Sequence, residues 1–278
     1  MQHYSRTPPS NSRSGPVTFF LGPCGDFAAS APAVTAIILN MTASADVRSG
    51  VSRLKASRPV SLVVLRWLAI TVALLWSLAA LTLLAARWID PPSTAVHLER
   101  RWQAWIHNTP YHERYRFIPL NEISPDLQHA VVAAEDARFY QHHGFDWQEV
   151  QIAAEDGLEG GRVRGASTIT QQLVKNLFFG TSRSVLRKGV EFTLVPVAEL
   201  VLGKQRILEI YLNVVEWGPG IYGVESASRY YYGTDARNTG REQAARLAAI
   251  LPAPLKRRPE RMNNYSARIL ERMAQMGW

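Results

Sequence analysis

Residue types able to transfer protons or hold phosphate concentrate in three short stretches. The first is "RGASTITQQLVKN", Arg164 to Asn176, where Ile169, Leu173 and then Leu177 recur every fourth residue and give a helix one apolar stripe. Its other face carries Ser167, Gln171 and Lys175 at the same spacing, with Thr168, Gln172 and Asn176 beside them. A solvated helix face is normally built from Glu and Lys. Rows of hydroxyls, amides and one ammonium suit a polar ligand instead.

The second stretch is "AAEDARFYQHHGFDW", in which Glu135 ends a helical pattern. A carboxylate at a helix C-terminus faces the negative end of the dipole, and apolar or aromatic neighbours raise its pKa toward the range of a general base. A Glu-Asp pair that merely caps a turn is the blander alternative. The third stretch is "RKGVE", where Arg187 and Lys188 lie four and three residues before Glu191 and share a helix face with it. That pattern is either a solvated salt-bridge face, worth under about 1 kcal/mol, or a phosphate clamp whose own carboxylate fixes the cations. Arg162, Arg164, Lys175, Arg187 and Lys188 together offer a basic surface that a pyrophosphate could use.

Other chemistries find less support. His142 and His143 lack a third ligand at a recognisable metal spacing. No G-x-S-x-G elbow occurs, and Ser167 sits where an N-cap hydroxyl is expected, which argues against a serine nucleophile. The single cysteine, Cys24, excludes a disulfide framework and a cysteine metal site. A net charge of +8 asks for an anionic partner, and with no nucleic-acid motif that partner is an anionic membrane or a phosphorylated substrate.

These stretches need a scaffold, and beyond Asp90 the scaffold reads as helical. "SPDLQHAVVAAED" opens with Ser124 as N-cap and Pro125 at the first helical position, then sets Leu127, Ala130, Val131 and Ala134 on one face. Residues 147–166 contain "DGLEGGRVRG" and read as a mobile loop. A long helix from Ser184 is expected to kink at Pro196 and break near Gly203. "KQRILEIYLN" and "REQAARLAAILPAP" supply two amphipathic helices, the second stopped by Pro252 and Pro254. The expectation is a mainly α domain over 90–278 with one shared core.

Ahead of it, "WLAITVALLWSLAALTLLAA", Trp67 to Ala86, is free of charge and about 20 residues long, the length that crosses a bilayer. A transmembrane helix is expected over 66–87, retained rather than cleaved as a signal peptide. Arg53, Lys55, Arg58 and Arg66 precede it, which places the N-terminus in the cytoplasm and everything after about 90 outside. Residues 1–58 are rich in Ser, Pro, Gly and Ala and read as a disordered tail, or as a mis-assigned leader with the true start at Met41.

The order "EDARFYQHHGFD", "GASTITQQLVKN", "RKGVE", "KQRILEIYLN" and "LAAILPAP" resembles the five-motif series of the bacterial peptidoglycan glycosyltransferases, over roughly residues 90–278. One N-terminal helix plus one catalytic domain resembles the monofunctional, membrane-anchored members, and the chain is too short to add the transpeptidase domain of the bifunctional penicillin-binding relatives. "SRLK" at Ser52 to Lys55 fits S-x-x-K, yet it precedes the membrane helix and no K-T-G accompanies it.

The resemblance implies a mainly α, lysozyme-like glycosyltransferase domain behind a single N-terminal transmembrane helix. It implies an inverting enzyme that polymerises lipid II into β-1,4 glycan strands at the outer face of the inner membrane and releases undecaprenyl pyrophosphate. By the same likeness, Glu135 is the general base. Glu191 is the second family carboxylate and organises a pyrophosphate clamp of Arg187, Lys188 and Lys175. Ser167, Thr168, Gln171, Gln172, Lys175 and Asn176 match substrate-binding positions, and Asp136, Phe139, His142 and Gly144 shape the first motif. Lys204, Glu209 and Asn213 help to hold the groove. Ala166 stands where many relatives carry glycine.

No dedicated metal site is implied, and any divalent cation, Mg or Mn, is expected to arrive on the substrate. Expected partners are lipid II, the growing undecaprenyl-pyrophosphoryl glycan chain, the membrane and other cell-wall synthesis and division proteins. Nucleic acid is not among them. The glycine-rich 157–166 segment is expected to form a lip at the membrane surface. Two rivals remain open at this stage, a lytic enzyme of the same fold and an idle membrane scaffold.

Overall fold

The computed structural model describes residues 60–158, 167–181 and 184–278. The tail over 1–58 with Cys24 and Met41, the 159–166 part of the glycine-rich segment, and with it Arg162, Arg164 and Ala166, lie outside the described residues.

Nine helices among the described residues make the fold mainly α: α1 Val60–Ala85, α2 Ala95–Ile106, α3 Pro125–Glu135, α4 Trp147–Leu158, α5 Ile169–Phe178, α6 Val185–Val214, α7 Val224–Tyr232, α8 Arg241–Ala248 and α9 Asn263–Gln275. A small sheet joins β1 Arg114–Tyr115, β2 Glu216–Gly218 and β3 Ile221–Tyr222 in the order β1-β3-β2. In it β1 runs parallel to β3, with Arg114 opposite Ile221, and β2 antiparallel, with Glu216 opposite Tyr222. Strands this short show no alternation, so the sequence gives no sign of them.

Segment Ser61–Ala85 is long and apolar enough to cross a bilayer, with a mean hydropathy of 2.3. The helix begins at Val60, ahead of the charge-free run, and carries Arg66 within it. Its far end packs on α6, where Leu83 and Ala86 are buried. Trp76 Nε1 donates to Thr193 Oγ1 at 2.9 Å, Arg87 to the Val201 carbonyl at 2.7 Å, and Arg206 to the Ala86 carbonyl at 2.9 Å. An indole N–H on a lipid-facing helix needs such a partner, because hydrocarbon offers none.

Local signals set most helix starts. Ser124 accepts from Leu127 N and Pro125 opens α3, whose Leu127, Ala130 and Val131 are fully buried. The helix begun at Ser184 keeps its course through Pro196 and breaks at Gly203, where φ is 72° and ψ 165°. Only glycine adopts that backbone without strain. One further expectation is corrected. Residues 147–158 are helix rather than loop, because Asp146 caps them by accepting Glu149 N at 2.9 Å and Ala153 turns inward. "KQRILEIYLN" is amphipathic as expected: Ile207, Leu208 and Ile210 to Val214 are buried, while Gln205 is exposed and Lys204, Arg206 and Glu209 are half-buried.

Helix α5 packs chiefly on α6, α3 on α8 and α9, and α8 on α9, while the hydrogen bond from Gln172 to Glu135 joins α5 to the end of α3. The polar contacts along α6 are structural. Asn213, fully buried, accepts Ile118 N at 2.9 Å and donates to the Ile118 and Glu209 carbonyls at 2.9 and 2.8 Å. Glu209 accepts Leu120 N at 2.8 Å, and Lys204 pairs with Glu199 at 2.8 Å while lying 4.5 Å from the Phe139 ring. These bonds hold the 117–120 segment and the 136–146 turn to α6. Replacing Asn213 with Ala strands both backbone groups of Ile118 in the core, at a cost of about 2–4 kcal/mol. A fall in the thermal midpoint of the detergent-solubilised protein is the expected result; an unchanged midpoint counts against this anchoring role.

Candidate active site

Glu135 is the last residue of α3, because Asp136 leaves the helical region at φ −159° and ψ 76°. Its Oε2 accepts a hydrogen bond from Gln172 Nε2 on α5 at 2.8 Å, and its Oε1 is buried without a partner among the described residues. Burial pushes the carboxyl above the ordinary glutamate range, and the Asp136 charge adds to the rise. The Gln172 hydrogen bond and the cations Arg257 and Lys175 oppose it. A turn-capping role does not fit, because Glu135 accepts no backbone N–H among the described residues. The capping carboxylate is Asp136, which accepts Ile169 N at the start of α5 at 3.0 Å.

Asp136 belongs to a closed network. His142 Nδ1 accepts Gly144 N at 3.2 Å, which leaves the proton on Nε2, and Nε2 donates to Asp136 at 2.9 and 3.1 Å. Gly144 has φ 92°, and a Cβ there would come within 2.5 Å of Val195 Cγ1 on α6. Its carbonyl accepts Thr168 Oγ1 at 2.7 Å, while Phe139 is fully buried beneath the turn. Asp136, His142 and Asp146 bring ligand atoms within 4.8 Å of one another. They do not suit a metal: His142 Nε2 carries its proton toward Asp136, and Asp146 is held by Arg138 through both of its oxygens.

The polar face of α5 divides in two. Thr168, not Ser167, is the N-cap, and it forms a capping box with Gln171: the Thr168 hydroxyl accepts Gln171 N at 3.2 Å and Thr168 N donates to Gln171 Oε1 at 3.1 Å. Asn176 donates to the Gln172 carbonyl at 2.8 Å. These three side chains are buried and engaged by the protein itself. Ser167 is exposed, and Gln172 and Lys175 remain turned to cavities.

Two cavities meet this region. One of about 400 Å³ is lined by Glu135, Asp136, Ser167 and Thr168, with Arg138, Asp146 and Glu149 on its rim and Arg272, Gln275 and Met276 from α9. Another of about 300 Å³ is lined by Gln172, Lys175 and Asn176 together with Arg100, Glu216 and the 251–256 turn. Gln172 joins them, hydrogen-bonded to the carboxylate of the first and lining the second. Burial and the neighbouring Arg187 hold the Lys175 ammonium below the ordinary lysine range, and Lys188 adds to this while Glu191 and Glu135 oppose it.

Arg187, Lys188 and Glu191, at the start of α6, line neither cavity. Glu191 is buried, its Oε1 2.6 Å from Lys188 Nζ and its Oε2 without a partner among the described residues. Arg187 donates weakly to the Gly180 carbonyl at 3.4 Å, and its buried Nε has no partner there either. Glu135, Arg187 and Glu191 thus each carry one buried polar atom without a hydrogen-bond partner among the described residues, as do Ser93, His97, Trp217 and Tyr232.

Sequence reasoning missed Tyr211, Arg257 and the α9 residues. Tyr211 donates to Gln172 Oε1 at 2.9 Å, and the only available sign was a tyrosine inside an apolar run, whose hydroxyl must find a partner. Arg257 is held by the Ala249 carbonyl at 2.8 Å, and nothing in its local sequence announces that the 249–257 turn brings it toward Glu135.

Comparison with known proteins gives the family. The family model described as Transglycosylase matches residues 103–275. A protein of Pseudomonas putida named biosynthetic peptidoglycan transglycosylase is 44% identical over 211 residues, 74% of this chain and 89% of the relative. Proteins of the same name from Pseudomonas aeruginosa, 43% identical over 73% of this chain and 90% of theirs, and Pseudomonas fluorescens, 42% over 77% and 88%, are similar too. The chain belongs to the transglycosylase family.

Proposed function

We propose that this glycosyltransferase polymerises lipid II into β-1,4-linked glycan strands with Glu135 as general base. The observation that carries the reading is the Glu135 carboxyl itself, at a cavity wall, with one oxygen held by Gln172 and the other buried and partnerless. The partnerless Oε1 takes the proton of the 4-hydroxyl of the acceptor's N-acetylglucosamine. The hydroxyl oxygen attacks the anomeric carbon of the donor's N-acetylmuramic acid from the face opposite the leaving group. The bond to pyrophosphate breaks, undecaprenyl pyrophosphate departs with the electron pair, and the configuration inverts.

Charge developing on the pyrophosphate is met by Lys175 and Arg187, with Lys188 held in place by Glu191. Cations fixed before reaction stabilise that charge more than mobile solvent does. Mg or Mn, where used, is assigned to the substrate's pyrophosphate. The α1 helix anchors the chain in the bacterial inner membrane with its N-terminus cytoplasmic and the catalytic domain periplasmic. Its packing on α6 supports this arrangement, because α6 carries the clamp and both substrates have polyprenyl tails that stay in the bilayer. Lipid II, the growing chain and the membrane are thus the partners, with other cell-wall synthesis and division proteins joining at the surface.

Glu135→Gln keeps the hydrogen-bonding shape but removes the base, so polymer formation from labelled lipid II is expected to fall about 100-fold or more. Product sizes compared for wild type and variant check this, and equal polymer from both would remove Glu135 from its role.

The pH dependence has a defined sign. Burial keeps the proton on Glu135 to higher pH, so the base works only above a carboxyl pKa displaced upward. Lys175 loses its proton earlier than an exposed lysine and ceases to stabilise the leaving group as pH rises. A bell-shaped profile of kcat/KM is expected, and Lys175→Arg, with a side chain charged throughout, should lose the alkaline limb. An alkaline limb retained in that variant assigns it to another group.

A further inference from the structure

We infer that Tyr211 is a positioning residue for Glu135, its hydroxyl selecting which end of the Gln172 amide faces the carboxylate. The proposal rests on Glu135 being the base. An amide has a donor end and an acceptor end of nearly equal shape, and the two have opposite effects on a carboxyl. An N–H directed at the carboxylate favours its charged form, while an oxygen directed at it favours the protonated acid. Gln172 lies between α3 and α6 and must choose.

Tyr211 makes that choice one-sided. It is fully buried in the last turn of α6, and its oxygen lies 2.9 Å from Gln172 Oε1, an atom that can only accept. Burial and the nearby Glu135 and Asp136 charges raise the phenol well above its ordinary pKa, so the hydroxyl keeps its proton as a standing donor. With Oε1 engaged, Nε2 is turned to Glu135 Oε2 at 2.8 Å, and it also approaches the Ser167 carbonyl at 3.5 Å. The second contact is long and gives the weaker hold. The resulting chain, Tyr211 to Gln172 to Glu135, crosses three helices and contacts the reacting carboxylate only through the amide.

The other groups that set the Glu135 charge come from different elements. Asp136 follows it, Lys175 projects from α5, and Arg257 approaches from the turn after α8. Arg272 of α9 reaches the Ala133 carbonyl, and Arg138, Asp146 and Glu149 stand on the cavity rim. Among the described residues the Gln172 side chain bonds Glu135, Tyr211 and the Ser167 carbonyl, so removing the Tyr211 hydroxyl alters the amide and leaves these charges in place.

The test is a titration of Glu135 in the full-length, detergent-solubilised protein, with glutamate labelled by carbon-13 at the side-chain carboxyl and Glu135→Gln identifying the resonance. Tyr211→Phe is expected to raise the Glu135 pKa by about one unit, the size of one charge-assisted hydrogen bond. Gln172→Leu should raise it as well, and adding Tyr211→Phe to Gln172→Leu should change nothing further. An unmoved pKa in Tyr211→Phe, or an equal further rise in the double variant, overturns the proposal. The acid limb of lipid II polymerisation should follow the same shift, with the rate recovered at high pH; a uniform loss at every pH marks a merely structural tyrosine. Should wild type make no polymer, the proposed function falls while the titration still decides the role of Tyr211. A further measurement needs no Tyr211 variant. The Tyr211 hydroxyl proton in wild type is expected to exchange slowly with solvent and to lose that protection in Gln172→Leu. Exchange as fast as that of an exposed tyrosine overturns the proposal.

Discussion

The 2.8 Å hydrogen bond from Gln172 to Glu135 ties together the two helices that the rest of the domain exists to hold apart at a fixed distance. A buried carboxylate is costly without a partner, and full pairing would leave it useless as a base. One donor on one oxygen is the compromise seen here. It holds Oε2 and leaves Oε1 without a partner among the described residues. The C-terminus of α3 and α5 meet at this bond, with α5 packed on α6 and α3 on α8 and α9.

The neighbouring Asp136 shows the opposite solution. It accepts a backbone N–H from α5 and the Nε2–H of His142, so its charge is satisfied by structure. Two adjacent carboxylates are thus held differently: Asp136 caps a helix N-terminus, while Glu135 takes one amide donor and keeps one oxygen unpaired among the described residues. The same division runs along α5, where Thr168, Gln171 and Asn176 complete the helix itself and Gln172 and Lys175 face outward. A polar row that looks uniform in sequence is half scaffold.

Helix α6 links this region to the apolar helix α1. Its first half carries Arg187, Lys188 and Glu191 and bonds α1 through Thr193, while its second half lies largely in the core and bonds Ala86, the residue after α1, through Arg206. Gly203 separates the halves, with a backbone that only glycine adopts without strain. The apolar helix and the Arg187, Lys188 and Glu191 cluster are therefore joined through one element.

Much of this was legible in one dimension. The apolar run of α1, the Ser124-Pro125 start of α3, the break at Gly203 and the placing of Glu135 at a helix end follow from local rules, because caps, glycine backbone and bilayer length act over a few residues. The motif order carried the family. What only the tertiary structure decided lies between elements distant in the chain: that Tyr211 meets Gln172 across 39 positions, that Arg257 approaches Glu135, and that two-residue strands pair at all. The helical extent of 147–158 was hidden by its glycine-rich continuation. Local sequence fixes backbone preference, but which polar atoms are left unpaired in a cavity depends on how whole helices pack, and that sum is written in no single segment.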